Sequence, residues 1–256
     1  MGTAFPNISV SGDKVNAKDY IEKGTGFHLF LACLVALVGG IFAIAISYGV
    51  LLIVLIFYPL FAGYIRKKAM ARIHGSGVKV GPSQFPQIHE SFLSLKERLS
   101  IHKDVHLYIV EDNVLNASAV RYGKDNVILL TDDLIQGCLV SGMPQSLSFI
   151  IAHELGHIAL NHNGVFRSWL GHAFKKLGRL DEYSCDSVAR VLVKDKDCAF
   201  HGLLLLTVGW ALLPYLNPET LKAQAAEVAL NKYSVKAERP LTHPLLLNRI
   251  HRILSA

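Results

Sequence analysis

Between Lys23 and Arg66 the chain carries no Asp, Glu, Lys or Arg, and most of that stretch is Leu, Ile, Val, Ala and Phe. So long an uncharged apolar run is at home in a bilayer rather than in water. As one helix, the 39 residues from Phe27 to Ile65 would extend about 58 Å, nearly twice the ~30 Å hydrocarbon thickness. Two helices joined by a tight turn fit far better. A turn at Ser47-Tyr48-Gly49 gives spans of residues 28–46 and 50–65, whereas a turn at Gly39-Gly40 leaves the first span short. Pro59 is no obstacle, because neighbouring helices can satisfy the carbonyl it frees.

Arg66, Lys67, Lys68 and Arg72 follow directly on the apolar run. A basic cluster there holds a membrane helix with that end in the cytoplasm, so the hairpin predicts a cytoplasmic tail and a cytoplasmic remainder. This placement also accounts for much of the net charge of +6. No aromatic–basic interleaving and no basic tail is present, so nucleic acid is not an expected partner. A cleaved signal peptide does not fit, since the polar lead is too long and the apolar run exceeds a signal's core. Residues Met1 to Lys23 read as a loose polar tail. The four cysteines, Cys33, Cys138, Cys185 and Cys198, form no CxxC pair and read as reduced thiols with packing roles.

Beyond the hairpin the composition is that of an ordinary mixed domain. Ile88, Phe92, Leu95 and Leu99 have helical spacing within residues 86–100, and residues 105–110 and 126–131 read as short strands. Asp112-Asn113 and residues 122–126 carry turn chemistry. Gly142-Met143-Pro144 opens a long apolar helix ending near residues 161–164. Residues 199–216 are apolar enough to reach the threshold for a third span, and a buried or membrane-resting helix is the preferred reading. The expected division is therefore a tail at 1–26, a transmembrane hairpin at 27–65 and a further domain at 66–256.

That apolar helix contains His153-Glu-Leu-Gly-His157. Positions i and i+4 share a helix face, so His153 and His157 can both present an imidazole nitrogen to one Zn²⁺. Glu154 beside them can take a proton from water and return one to a leaving amine. A chance H-E-x-x-H is expected only about 0.02 times in a chain of this composition and length, so coincidence is a poor account. A catalytic zinc needs a third protein ligand. Leu160 and Asn163 stand where the metzincin pattern requires Gly and His, so that class fails. His162 is adjacent but falls on another face. Downstream, Glu182 and Asp186 are four apart and could both face the metal from a helix. Glu182 is the expected ligand and Asp186 the partner that hydrogen-bonds a ligand histidine. Cys185 as a ligand is a remote alternative.

HELGH, then Glu182-Tyr-Ser-Cys-Asp186, then Thr242-His243-Pro244, resembles the HtpX-like membrane zinc metallopeptidases of metallopeptidase family 48, a gluzincin type. The family's third-ligand motif is E-x-x-A-D, with Cys185 here replacing the commoner Ala. The resemblance implies an α+β fold in which the hairpin precedes a mainly helical zincin-type protease domain with a small β-sheet. It also implies that Asn116-Ala-Ser-Ala119 is an edge strand, on which Asn116 and Ala117 would receive an extended peptide. It implies further that His243 stabilises the oxyanion on the scissile carbonyl. That role requires His243 on the same side of the membrane as His153, which residues 199–216 would prevent by crossing.

The expected activity is a membrane-anchored zinc metalloendopeptidase with Zn²⁺ as cofactor and polypeptide and the lipid bilayer as partners. Family analogy adds misfolded or membrane proteins as substrates and the bacterial inner membrane as the location. Two other classes compete. One is a catalytically silent peptide-binding adaptor, which has no need of Glu154. The other is a zinc hydrolase of a non-peptide bond. The oligomeric state is open at this stage.

Overall fold

The computed structural model describes residues 5–111 and 116–255, so the turn residues Asp112 and Asn113 lie outside the described residues. Its first two helices are α1 (Thr25–Ile46) and α2 (Val50–Ser76). Both are long and apolar enough, by length and composition, to cross a membrane. They break at Ser47-Tyr48-Gly49, where Tyr48 (φ 49°) and Gly49 (φ 84°) adopt the left-handed conformation that reverses the chain. Helix α2 does not end with the apolar run. It continues through the basic cluster to Ser76, and its last turns bring Met70 and Ile73 onto the sheet described next.

The sheet has four strands, β1 (Val78–Lys79), β2 (Val105–Val110), β3 (Ala117–Tyr122) and β4 (Asp125–Thr131), in the spatial order β1-β2-β4-β3. β2 and β4 are parallel, while β1 and β3 pair antiparallel with their neighbours. Alternate residues therefore serve two faces. Leu107, Ile109, Ile128 and Leu130 enter the main core, and Tyr108 and Val127 meet the end of α2. The order leaves β3 at a sheet edge, as expected for residues 116–119.

The remaining helices are α3 (Pro86–Arg98), α4 (Asp132–Val140), α5 (Ser146–Ala159), α6 (Val165–Ala173) and α7 (Lys175–Val193). They are followed by α8 (Lys196–Val208), α9 (Pro218–Leu230), α10 (Lys232–Ala237) and α11 (Leu246–Ser255). α5 is central, and all its residues except His157 and Ala159 are buried. It is sandwiched by α3, α7, α8 and β3.

Residues 199–216 do not form a span. α8 ends at Val208 because Gly209 turns the chain at φ 72°, and the helix is buried against α5 and α11. The polar N-terminal segment is also tied down rather than loose. Ile8 is fully buried, its carbonyl accepts hydrogen bonds from Ser91 and Ser148, and Val15 N–H donates to Arg98 O at 2.8 Å. Phe5, Val10 and Val15, spaced among the polar residues, supply the apolar contacts that hold it.

The approach of α7 to α5 is set at Gly156. A Cβ there would meet Cys185 Sγ at 3.3 Å and Cys185 Cα at 3.4 Å. Gly156→Val should therefore force the two helices apart at a cost of about 1–3 kcal/mol. Denaturant unfolding of the detergent-solubilised protein would measure the loss, and an unchanged midpoint would show that the contact has slack.

Candidate active site

α5 and α7 each present an i, i+4 pair to the other. From α5, His153 Nε2 and His157 Nε2 lie 3.2 Å apart. From α7, the Glu182 carboxylate reaches both, with Oε2 3.5 Å from His153 and Oε1 3.4 Å from His157. His153 and Glu182 are buried, and His157 is nearly so. These three residues could hold a metal ion. Zinc ligated at ~2.0–2.1 Å in a tetrahedron places its donor atoms about 3.3 Å apart, so the triangle has the size that zinc requires.

Asp186, one turn beyond Glu182, lies with Oδ1 3.0 Å from His153 Nδ1. The contact is close but falls outside hydrogen-bond geometry, leaving His153 Nδ1 buried without a hydrogen bond. Burial disfavours the imidazolium of His153, yet Asp186 and Glu182 outweigh it and raise its pKa to about 10. Burial likewise works against the Glu182 carboxylate, but the two histidines hold its pKa well below the ordinary range. The pocket thus favours positive charge at the point where the three donors converge.

Arg249 was not anticipated. It reaches in from α11, donating from Nε to Asp186 Oδ2 at 2.8 Å and from Nη2 to Asp186 Oδ1 at 2.7 Å. Its Nη1 lies 3.6 Å from Glu182 Oε2. This bidentate pair overcomes the burial of Asp186 and lowers its pKa to about 2. The one sequence signal was a charge on an apolar stripe, since Arg249 shares a helix face with Leu246, Ile250 and Ile253.

Behind His157 lies a second layer. His162, placed on another face by helical spacing, sits beyond the end of α5, where Asn161 turns at φ 59° and brings its Nδ1 to 3.3 Å from His157 Nδ1. His162 Nε2 is 3.4 Å from Asp181, which receives Arg167 Nη2 at 2.5 Å. Burial, with His157 and Arg167 acting in the same direction, lowers the His162 pKa to about 2. Cys185 Sγ lies 3.6 Å from His162 Nδ1, so His157, His162 and Cys185 form another group that could hold a metal. Burial raises the Cys185 thiol well above its ordinary pKa, which disfavours the thiolate that a metal needs.

The His153–His157–Glu182 triangle opens on a cleft of about 390 Å³. Glu154 lines it and makes no hydrogen bond or ion pair to another described residue. One wall is β3 with Asn116 and Ala117. The Asn116 side chain accepts from Ala117 N–H at 2.9 Å, and its backbone is clamped to Thr131. Thr242 and His243 lie at another wall, with His243 Nε2 3.5 Å from Glu182 Oε1 and its side chain largely exposed. The loop bearing them is braced from below by Arg179, which donates from Nη1 to the carbonyls of Glu238, Arg239 and Leu241. Gly178 permits this approach, since a Cβ there would lie 3.0 Å from Thr242 O. Asn116, Ala117, His153, Glu154, His157, Glu182 and His243 thus line one cleft, and Asp186 stands behind His153.

The model of peptidase family M48 matches residues 82–173, a span that contains the sheet from β2 onward and the HELGH helix. No curated protein and no solved structure matches the chain. The match bears out the resemblance to metallopeptidase family 48 and supports a peptidase. It stops before Glu182, so the third donor rests on the packing of α7 against α5.

Arg249→Met would leave Asp186 buried without its cation, at an expected cost of about 3–5 kcal/mol. Lys222→Met, which removes a surface pair with Glu219, should cost no more than about 1 kcal/mol. Parallel denaturant curves decide the matter, and equal small losses would mean that the Arg249 pair is not a structural keystone.

Proposed function

We propose that the chain is a membrane-anchored zinc metalloendopeptidase in which His153, His157 and Glu182 hold the metal. The observation that carries this reading is the triangle of donor atoms 3.2–3.5 Å apart, opening on a cleft lined by Glu154. Zinc, when bound, supplies a Lewis acid that polarises a carbonyl and acidifies water. The protein's own groups do the rest. Glu154 accepts the proton from attacking water and delivers it to the leaving amine. Asp186, held by Arg249, would orient the His153 ring once its 3.0 Å approach to Nδ1 tightens into a hydrogen bond. β3 lies at the sheet edge, where an extended polypeptide would pair with the backbone from the Ala117 carbonyl onward, while Asn116, whose own backbone is held by Thr131, would bond the substrate through its side chain. His243 donates to the developing oxyanion, a role supported by its place at the cleft and by α8 remaining in the domain core.

The proposed topology places the hairpin at 27–65 and the peptidase domain at 66–256, with the described part of the N-terminal segment 1–26 folded onto that domain. The basic cluster at Arg66–Arg72 faces the cytoplasm, and misfolded or membrane proteins of a bacterial inner membrane are the proposed substrates. The edge position of β3 favours peptide bonds over other hydrolysable bonds, and a Glu154 carboxylate with no hydrogen bond or ion pair to another described residue favours an enzyme over an adaptor.

The test compares wild type with Glu154→Gln on an unfolded protein substrate, with zinc content measured for both. Glu154→Gln should keep about one zinc and lose cleavage by at least the 10²–10⁴-fold typical of a general base. A zinc-loaded wild type that cuts nothing would move the reading to the adaptor. His243→Ala should retain zinc and lose about 10²–10³ in kcat, and unchanged kcat would remove it from the reaction.

A further inference from the structure

Helix α6 has two unlike faces. Arg167, Ser168 and Gly171 turn to the cleft. Val165, Phe166 and Trp169 turn away and are 49%, 59% and 54% exposed. Phe166 and Trp169 stack on each other, with centroids 6.0 Å apart, and more than half of each is open. Such a face on a helix that builds the site needs an occupant.

The position of α6 along the hairpin names it. Leu170 and Leu177 are buried against α1, where Leu29, Ala32 and Ala36 meet them. At 1.5 Å per residue those α1 contacts lie roughly 16–27 Å from the turn at Ser47. On α2 the first basic residue, Arg66, lies about 28 Å from the same turn. The contact with α6 and α7 therefore falls at or below the level of the basic cluster, within the ~30 Å that hydrocarbon occupies. An exposed aromatic pair held at that depth meets lipid. Trp is the residue suited to such a boundary, and Lys176, exposed just beyond α6, is suited to the headgroups.

We infer that the Val165–Phe166–Trp169 face of α6 is embedded in the near leaflet of the bilayer, so that one wall of the cleft stands on the membrane surface. The cleft then receives polypeptide segments as they leave a bilayer, in preference to chains free in solution. This rests on the membrane-anchored peptidase reading and names its substrate class.

The chain has two tryptophans, Trp169 and Trp210, so Trp210→Phe leaves Trp169 as the sole reporter. The full chain is reconstituted in phosphatidylethanolamine–phosphatidylglycerol vesicles containing lipid spin-labelled either high on the acyl chain or near its end. Trp169 emission should be lost mainly to the shallow label and be protected from aqueous acrylamide. Quenching by acrylamide but not by lipid overturns the placement, as does protection from both, which would assign the face to a second copy or another protein. Resistance to alkaline extraction, measured on the same vesicles, reports the hairpin separately, so anchoring can hold while the α6 inference fails. For the substrate class, one cleavable sequence is offered tethered to a membrane helix and free. Wild type should favour the tethered form in kcat/KM. The double variant Phe166→Ser, Trp169→Ser should lose that preference while cutting the free form normally. Equal rates on both forms by wild type overturn the substrate assignment, whereas no cleavage of either form contradicts the peptidase reading itself.

Discussion

The close packing of α7 on α5 is the contact from which the site follows. Each helix contributes residues four apart, so a single crossing aligns His153 and His157 with Glu182 and Asp186. Gly156 makes that crossing possible by leaving room for Cys185. The carboxylates brought together there would be costly to bury alone. Arg249 offsets that cost at Asp186 and, from 3.6 Å, at Glu182. The site is thus assembled by three helices, and Arg249 offsets only part of the charge of the two buried carboxylates, leaving a pocket that favours a cation.

The rest of the fold arranges access to that crossing. The edge strand β3, the helix α6 and the Arg179-braced loop carrying His243 form the cleft walls. The buried course of α8 keeps α7 and the His243 loop on one side of the bilayer in which the hairpin is proposed to sit. The continuation of α2 onto the sheet and the contact of α1 with α6 and α7 tie the hairpin to the domain at two places. The cleft is consequently fixed in height relative to the apolar helices rather than suspended on a flexible linker.

Local pattern carried much of this information. The turn at Ser47–Gly49 followed from bilayer thickness, and the facing of His153 with His157, and of Glu182 with Asp186, followed from helical periodicity. The strand β3 was legible only through family resemblance, because its small residues Ala117, Ser118 and Ala119, half-buried on both faces, give no clear alternation. What could not be read were contacts made across long sequence separations. Arg249 looked like one charge on a terminal helix until α11 was seen to place it on Asp186. Ile8 in a polar segment gave no sign that α3 and α5 would receive it. His162 lies beyond the end of α5, so helical spacing placed it away from His157 while the turn at Asn161 brings it back.

Two groups of donors share His157, and the central claim is that the metal sits on the side of His153 and Glu182 rather than His162 and Cys185. Zinc K-edge absorption spectroscopy of the purified, zinc-loaded protein distinguishes them directly. Two imidazoles and a carboxylate oxygen are expected among nitrogen and oxygen scatterers at ~2.0–2.1 Å, with no sulfur. A sulfur scatterer at ~2.3 Å would place the metal on Cys185 and contradict it.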